Sequence, residues 1–228
     1  MTRPRAAVFC DFDGTVTERD VGYNLFHHFS GGRNDALLPD WKAGRMSTRD
    51  CLLTEAKMVH APSDEILSFI DRFSIDPSFP RFVTTCRDDG VPVVVLSEGM
   101  DFYIKRILAR NNLADLDVMS NMGFLEGDTI RIEFPYRTKT CEGCGNCKAQ
   151  RIKEYRERAG TAERIVFVGD GYSDACGANE ADVVFAKKDL QQYCQDEGIS
   201  YNTFRDFDDV TEQLVDLGLL SRRQPQNR

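Results

Sequence analysis

Three short apolar runs punctuate the chain, and each ends in a polar loop. AAVFC at 6–10 leads into DFDGT, VPVVVLS at 91–97 into EG, and RIVFVGD at 164–170 into GYSD. Apolar runs of this length, closed by turn residues, predict buried strands. VVFA at 183–186 reads as a fourth. Between the first two runs the pattern changes to helical. Val21, Leu25 and Phe29 recur every four residues, and Ile66, Phe69, Ile70 and Phe73 share another face behind a Ser63 cap. No strand pattern occurs from 18 to 89. After VPVVVLS, Tyr103, Ile107 and Leu108 fall at helical spacing. Ile130, Ile132 and Phe134 alternate behind the turn residues Glu126, Gly127 and Asp128, which predicts a hairpin within 115–134. Further helices are expected from Lys148, from about Asp174 and after residue 186. The tail SRRQPQNR, 221–228, has no apolar period and is expected to be mobile.

Buried strands alternating with helices imply an α/β fold: a doubly wound, Rossmann-like parallel sheet covered on both faces. The helical stretch 18–89 reads as a small cap domain, and 1–17 with 90–228 as the core domain. In such sheets ligands bind outside the carboxyl ends of the strands, where DFDGT, SEG and GDGYSD all fall.

The 228 residues are enough to bury one substantial core, and 41% hydrophobic with 29% charged residues is a globular composition. A formal net charge of -8 argues against nucleic acid and anionic membrane as partners, so an anionic ligand must meet local positive charge or a metal. The first apolar run stops at two aspartates, too short for a signal-peptide core. No later segment reaches membrane-spanning length, and a cytoplasmic location is expected. Without a secretory signal, the eight cysteines are expected to be reduced.

Asp11 and Asp13 stand two apart directly after a buried strand, an expensive place for two carboxylates unless a cation or hydrogen bonds stabilise them. Asp170 and Asp174 repeat the arrangement. Oxygen-only ligation from such a set favours Mg2+, whereas the plainer reading makes each pair a helix cap. Ser97, Glu98 and Gly99 place a hydroxyl and backbone N–H groups at the same edge, suited to phosphate oxygens. Lys148 supplies fixed positive charge.

The ordered series DFDGT, Ser97 after an apolar strand, Lys148 and GDGYSD resembles the haloacid dehalogenase superfamily of aspartyl-phosphate phosphatases, in its phosphoserine phosphatase-like branch with a small helical cap. GMDFYIKRIL, the cysteine-rich segment into CGNCK, and VVFAKKDL with YCQDEG are similar to the methionine-salvage phosphatases of that branch. The resemblance implies a phosphatase for a small phosphorylated metabolite, with a methionine-salvage intermediate as favoured substrate. It implies Asp11 as nucleophile, Asp13 as acid and base, and Mg2+ on the Asp11 carboxylate, the Asp13 carbonyl and Asp170. Asp174 would orient a ligand water or Lys148, and Ser97 and Lys148 would hold the phosphoryl group. Substrate contacts are expected from Asp20, Glu98, Gly99, Ser173 and cap side chains between 21 and 60.

The chain departs from the phosphoserine phosphatases at two places. In GRMSTRDCLL, Leu53 stands where a substrate-pairing arginine is expected, with Arg49 one helical turn away, which ranks phosphoserine second. Ser173 replaces an asparagine. Phosphocholine and pyridoxal phosphate are further alternatives. Cys141, Cys144 and Cys147, spaced CxxCxxC, offer three ligands where zinc or iron–sulfur sites want four, with Cys10 or Cys176 as possible partners in space. A metal- or redox-sensing binding module is thus the reading from another class. His27, His28 and His60 receive no role. Monomer and homodimer are both open.

Overall fold

The computed structural model describes residues 6–139, 141, 143–159 and 164–222; the charged start 1–5 and tail residues 223–228 lie outside the described residues. In chain order the elements are β1 (Ala6–Cys10), α1 (Val21–Ser30), α2 (Leu38–Lys42), α3 (Thr48–Ala56), α4 (Ser63–Ile70), α5 (Phe79–Asp88), β2 (Val93–Met100), α6 (Asp101–Arg110), β3 (Asp117–Glu126) and β4 (Thr129–Glu133). There follow α7 (Lys148–Ala159), β5 (Arg164–Gly169), α8 (Ala175–Asn179), β6 (Val183–Ala186), α9 (Lys188–Asp196), β7 (Asn202–Thr203) and α10 (Phe207–Asp216).

The strands form one sheet in the order β4-β3-β2-β1-β5-β6-β7, parallel throughout except for the antiparallel β3–β4 hairpin. Val8 of central β1 lies opposite Val93 of β2 and Val166 of β5. The chain winds outward on one side of β1 through β2 and β3, then on the other through β5, β6 and β7. The winding therefore reverses at β1, and a crevice opens at its carboxyl end.

Alternation along β1 sorts the core into two layers. Ala6, Val8 and Cys10 face a cluster with Val93, Val95, Val166 and Val168 beneath α1, α4, α5, α6 and α10. Ala7 and Phe9 face a second cluster with Phe167, Val184, Ile152 and Leu190 under α7, α8 and α9. Buried on both faces, the parallel strands need continuous apolar sequence, which is what made them readable.

Several boundaries differ from the expectations. The strand expected to stop at Ser97 runs on to Met100 through a bulge, since Leu96 pairs with Met119 but Met100 with Asn121. The extra residues turn Ser97, Glu98 and Gly99 toward the crevice. Ser63 does not cap its helix. Pro62 holds that position, and the Ser63 hydroxyl donates instead to the Gly127 carbonyl at 3.2 Å, tying α4 to the β3–β4 turn. A 3-10 turn, Tyr172–Asp174, precedes α8. At the start of the tail, the Ser221 amide donates to Asp89. β7 and α10 had no sequence expectation. Phe207 at the start of α10 packs against Phe79, Phe82 and Phe204, which closes the sheet face over β5 and β6.

The chain leaves and rejoins the sheet region at one place. Thr17 and Ile75 form an antiparallel bridge, and the Asp76 amide donates to the Val16 carbonyl at 2.8 Å. Beyond that pairing, α5 lies on β2 and α10. No helix among the described residues is long and apolar enough to cross a membrane.

Phe207 is fully buried at an aromatic junction. Phe207→Ala is expected to cost about 3–5 kcal/mol of stability by urea unfolding, because the cavity left cannot collapse fully.

Candidate active site

The loop after β1 is shaped by its own side chains. The Asp11 amide continues the ladder to the Val168 carbonyl at 2.9 Å. The Thr17 hydroxyl donates to the Phe12 carbonyl at 2.9 Å and accepts from the Gly14 amide at 3.1 Å. Gly14 has φ of 80°, and a Cβ there would stand 2.5 Å from Asp170 Oδ2, so only glycine fits. The turn thereby sets Asp11 and Asp13 on one side and brings the Thr15 hydroxyl to Asp170 Oδ1 at 3.1 Å.

Asp11 is buried at the end of β1, and Lys148, the first residue of α7, points at it from below the sheet edge. Lys148 has no exposed surface. Its ammonium donates to Asp11 Oδ1 at 2.6 Å and to Asp174 Oδ1. Burial alone would lower the ammonium's pKa, but the charges of Asp11 and Asp174 outweigh it and hold the group above its ordinary value. The lysine is not among the residues that line the crevice, and its ammonium reaches the site at the Asp11 carboxylate.

Asp174 is occupied on both oxygens. Oδ1 takes Lys148, and Oδ2 accepts the amides of Asp170 and Gly171 at 2.9 Å each. It caps no following helix. The carboxylates of Asp11, Asp170 and Asp174 offer oxygens within 4.8 Å of one another, a spacing and donor type that fit a hard divalent cation. Asp174 is held by three donors, two of them backbone amides, whereas Asp170 is held only by the Thr15 hydroxyl and the Lys188 ammonium, both side-chain donors. Asp170 Oδ2 takes the Lys188 ammonium at 2.7 Å.

Asp13 faces the crevice. Its Oδ1 accepts the amides of Val21 and Gly22 at 2.8 and 3.1 Å, and its Oδ2 accepts the Tyr103 hydroxyl at 2.7 Å. Burial raises its pKa above the usual carboxylate range, against the lowering effect of those three donors. Ser97 Oγ accepts the Gly99 amide at 2.8 Å, which spends that amide but leaves the hydroxyl proton free for a ligand. A Cβ at Gly99 would lie 1.9 Å from the Tyr103 hydroxyl, so the Tyr103–Asp13 bond requires glycine there.

A crevice of about 380 Å3 joins these residues to α1, α2 and α3. Asp11, Asp13, Asp20, Ser97, Glu98, Gly99, Asp170 and Ser173 all line it. Phe26, Leu38, Trp41 and Leu52 form an apolar wall, and no arginine lines it among the described residues. Arg49 pairs with Asp50 at 3.6 Å instead. Asp20 caps α1 by accepting the Tyr23 amide at 2.7 Å. Enclosure in the crevice and the charge of Asp13 raise its pKa, an effect weakened by the solvent that still reaches it. Glu98 is buried without a well-aligned hydrogen bond. Burial pushes its carboxyl up to about 7, against the charge of Lys148 and the Cys144 thiol.

Sequence reasoning missed Tyr103 and Lys188, and it covered Glu55 and Trp41 only within the span 21–60 without naming them. Tyr103 was read only as a core position. Lys188 lay within the noted VVFAKKDL without a role. Glu55 and Trp41 sit in helices whose fold over the crevice no local pattern reveals.

The chain belongs to the haloacid dehalogenase-like hydrolases, whose family model matches residues 8–178. The 2-hydroxy-3-keto-5-methylthiopentenyl-1-phosphate phosphatase of Brevibacillus brevis is 32% identical over 217 residues, covering 92% of this chain and 95% of that protein. A polyol phosphate phosphatase of Saccharomyces cerevisiae is 29% identical, covering 92% of each chain. Among solved structures, a phosphoserine phosphatase in a phospho-aspartyl intermediate analogue superposes with a TM-score of 0.73 at 15% identity, over 92% of this chain and 99% of that one, which establishes the shared fold.

Glu55 is buried in α3 and accepts the Asn34 side-chain amide at 3.2 Å; burial pushes its carboxyl from 4.5 up to about 7. Its contribution to stability is therefore full below pH 4.5 and falls as pH rises to 7, because the unfolded carboxyl ionises first. Glu55→Gln should gain on the parent chain across that window, by up to about 3 kcal/mol, and run parallel to it above pH 7. Thermal melts of both proteins across the range check this, and a pH-independent difference would contradict it.

Proposed function

We propose that the protein is a Mg2+-dependent phosphoric monoester hydrolase acting on 2-hydroxy-3-keto-5-methylthiopentenyl-1-phosphate through a phosphoryl group carried on Asp11. The observation that carries the reading is the convergence of Asp11, Asp13, Lys148 and Asp170 at the point where the sheet winding reverses. The substrate assignment draws support from the Brevibacillus brevis relative and from the apolar wall of Phe26, Leu38, Trp41 and Leu52, which suits a methylthioalkyl chain.

In this reading an Asp11 oxygen attacks phosphorus while the bond to the ester oxygen breaks, and Asp13 gives its proton to that leaving oxygen. Asp13 then takes a proton from the water that attacks the acyl-phosphate. Cleavage of the phosphorus–Asp11 bond releases inorganic phosphate and restores the Asp11 carboxylate, with Asp13 again protonated. The raised pKa of Asp13 suits the acid role, and Tyr103 with the two α1 amides fixes its direction. Ser97 donates to a phosphoryl oxygen. Mg2+ held by Asp11, the Asp13 carbonyl and Asp170 would neutralise the phosphoryl oxygens as they approach the carboxylate. Asp174 directs Lys148, which offsets the charge on Asp11. Residues 18–89 act as the cap and 1–17 with 90–228 as the core, α5 returning the chain to the sheet.

The missing arginine counts against phosphoserine, because the crevice offers its carboxylate no bidentate partner, only the single ammonium groups of Lys42 and Lys188 beside the acidic Asp20, Glu55 and Glu98. Those side chains favour a second reading, a polyol phosphate, because carboxylates accept hydroxyl hydrogens; the yeast relative points the same way.

Phosphate release should be measured with and without Mg2+ from the methylthiopentenyl phosphate, a polyol phosphate, phosphoserine, phosphocholine and pyridoxal phosphate. Mg2+-dependent turnover of the first, absent in Asp11→Asn, is expected. Turnover that survives Asp11→Asn would refute the mechanism, and preference for the polyol phosphate would replace the substrate. Lys148→Met is expected to lower kcat at least about a hundredfold and also to destabilise the chain by about 3–5 kcal/mol, since two buried carboxylates lose their partner.

A further inference from the structure

Residues 134–147 join β4 to α7 without helix or strand in their described part, a length at which an irregular segment in a compact domain needs its own anchor. Its last residues are buried: the Asn146 side chain donates to the Ser97 and Met119 carbonyls at 3.0 and 2.8 Å, and Cys147 leads directly into Lys148. Cys141, Cys144 and Cys147 lie in this segment. Cys176 belongs to α8, two residues after Asp174, and so follows β5 in the chain whereas the other three precede it.

The four sulfurs meet. The Cys144 thiol is in hydrogen-bonding contact with the thiols of Cys147, Cys176 and Cys141, and Cys147 also contacts Cys176. All four are free thiols. The CxxCxxC pattern therefore has its fourth member, one no spacing rule could supply. Sulfurs around a tetrahedral zinc, each about 2.3 Å from the metal, stand about 3.8 Å apart, so four thiols in such contact suit a centre of this kind. Two backbone donors point at the cluster from the first turn of α7. The Gln150 amide donates to Cys147 sulfur and the Ala149 amide to Cys176 sulfur. Unsatisfied N–H groups at a helix start favour the thiolate form that a metal requires.

We infer that Cys141, Cys144, Cys147 and Cys176 form a tetrathiolate site for one zinc ion, separate from the carboxylate crevice. All-sulfur ligation selects a soft cation over Mg2+, and four protein ligands leave no open position, so the ion is structural. It staples the 134–147 segment to α8. It thereby fixes the two backbones that present Lys148 and Asp174 to each other.

The test measures metal content of the full chain, saturated with zinc and passed over a weak chelating resin. One zinc per chain is expected. Cys144→Ser and Cys176→Ser, on different elements, should each lower retained zinc at least tenfold, while Asp170→Asn should retain it. Should a serine variant fail to fold, the parent chain loaded with cobalt(II) decides: tetrahedral thiolate ligation predicts an intense sulfur-to-cobalt charge-transfer band. Failure of the parent to retain zinc, loss of zinc in Asp170→Asn, absence of that band, or iron with a visible iron–sulfur chromophore in place of zinc would each overturn the assignment.

Discussion

The buried ammonium of Lys148 is the constraint on which the site depends. A fully enclosed cation is tolerated only with anionic partners, and an aspartate at the end of β1 is tolerated there only with a cation. Each justifies the other's burial. Asp174 completes the arrangement, because its second oxygen is held by two backbone amides and it cannot turn away. The result is a carboxylate on Asp11 fixed in direction before any ligand arrives, which is where catalysis of phosphoryl transfer gains most.

Around that fixed point the fold brings in three further parts by different means. The bulge in β2 presents Ser97 and leaves Gly99 without a side chain, which opens the space through which Tyr103 reaches Asp13. The amides at the start of α1 hold the other Asp13 oxygen, so the first helix over the crevice also fixes the direction of that carboxyl. The β3–β4 turn braces the start of α4 from the side, through Ser63 to the Gly127 carbonyl and the Ala61 amide to the Asp128 carbonyl at 2.9 Å.

Much of the sheet was legible because strands buried on both faces write themselves as apolar runs, and the loops behind those runs carried the carboxylates. The helices of 18–89 were legible as helices but not as a crevice wall. Their periodicity reports which side is apolar, whereas Glu55 and Trp41 matter through a tertiary crossing that no local window contains. Ser63 was misplaced by one residue because a serine before an apolar run also satisfies the sequence pattern for a cap. The bulge at Ser97 was invisible because only pairing with β3 defines it. Cys176 could be named as a possible partner of the CxxCxxC segment, but its approach depends on α7 and α8 lying side by side. β7 is two residues long, too short for any period.

The central claim is a covalent phosphoryl group on Asp11, and the direct measurement is mass spectrometry of the peptide spanning residues 6–17 after acid quench during turnover of the preferred substrate. A mass increase of one phosphoryl group localised to Asp11 is predicted. Sustained turnover with that peptide unmodified, or with the phosphoryl group on another side chain, would contradict it.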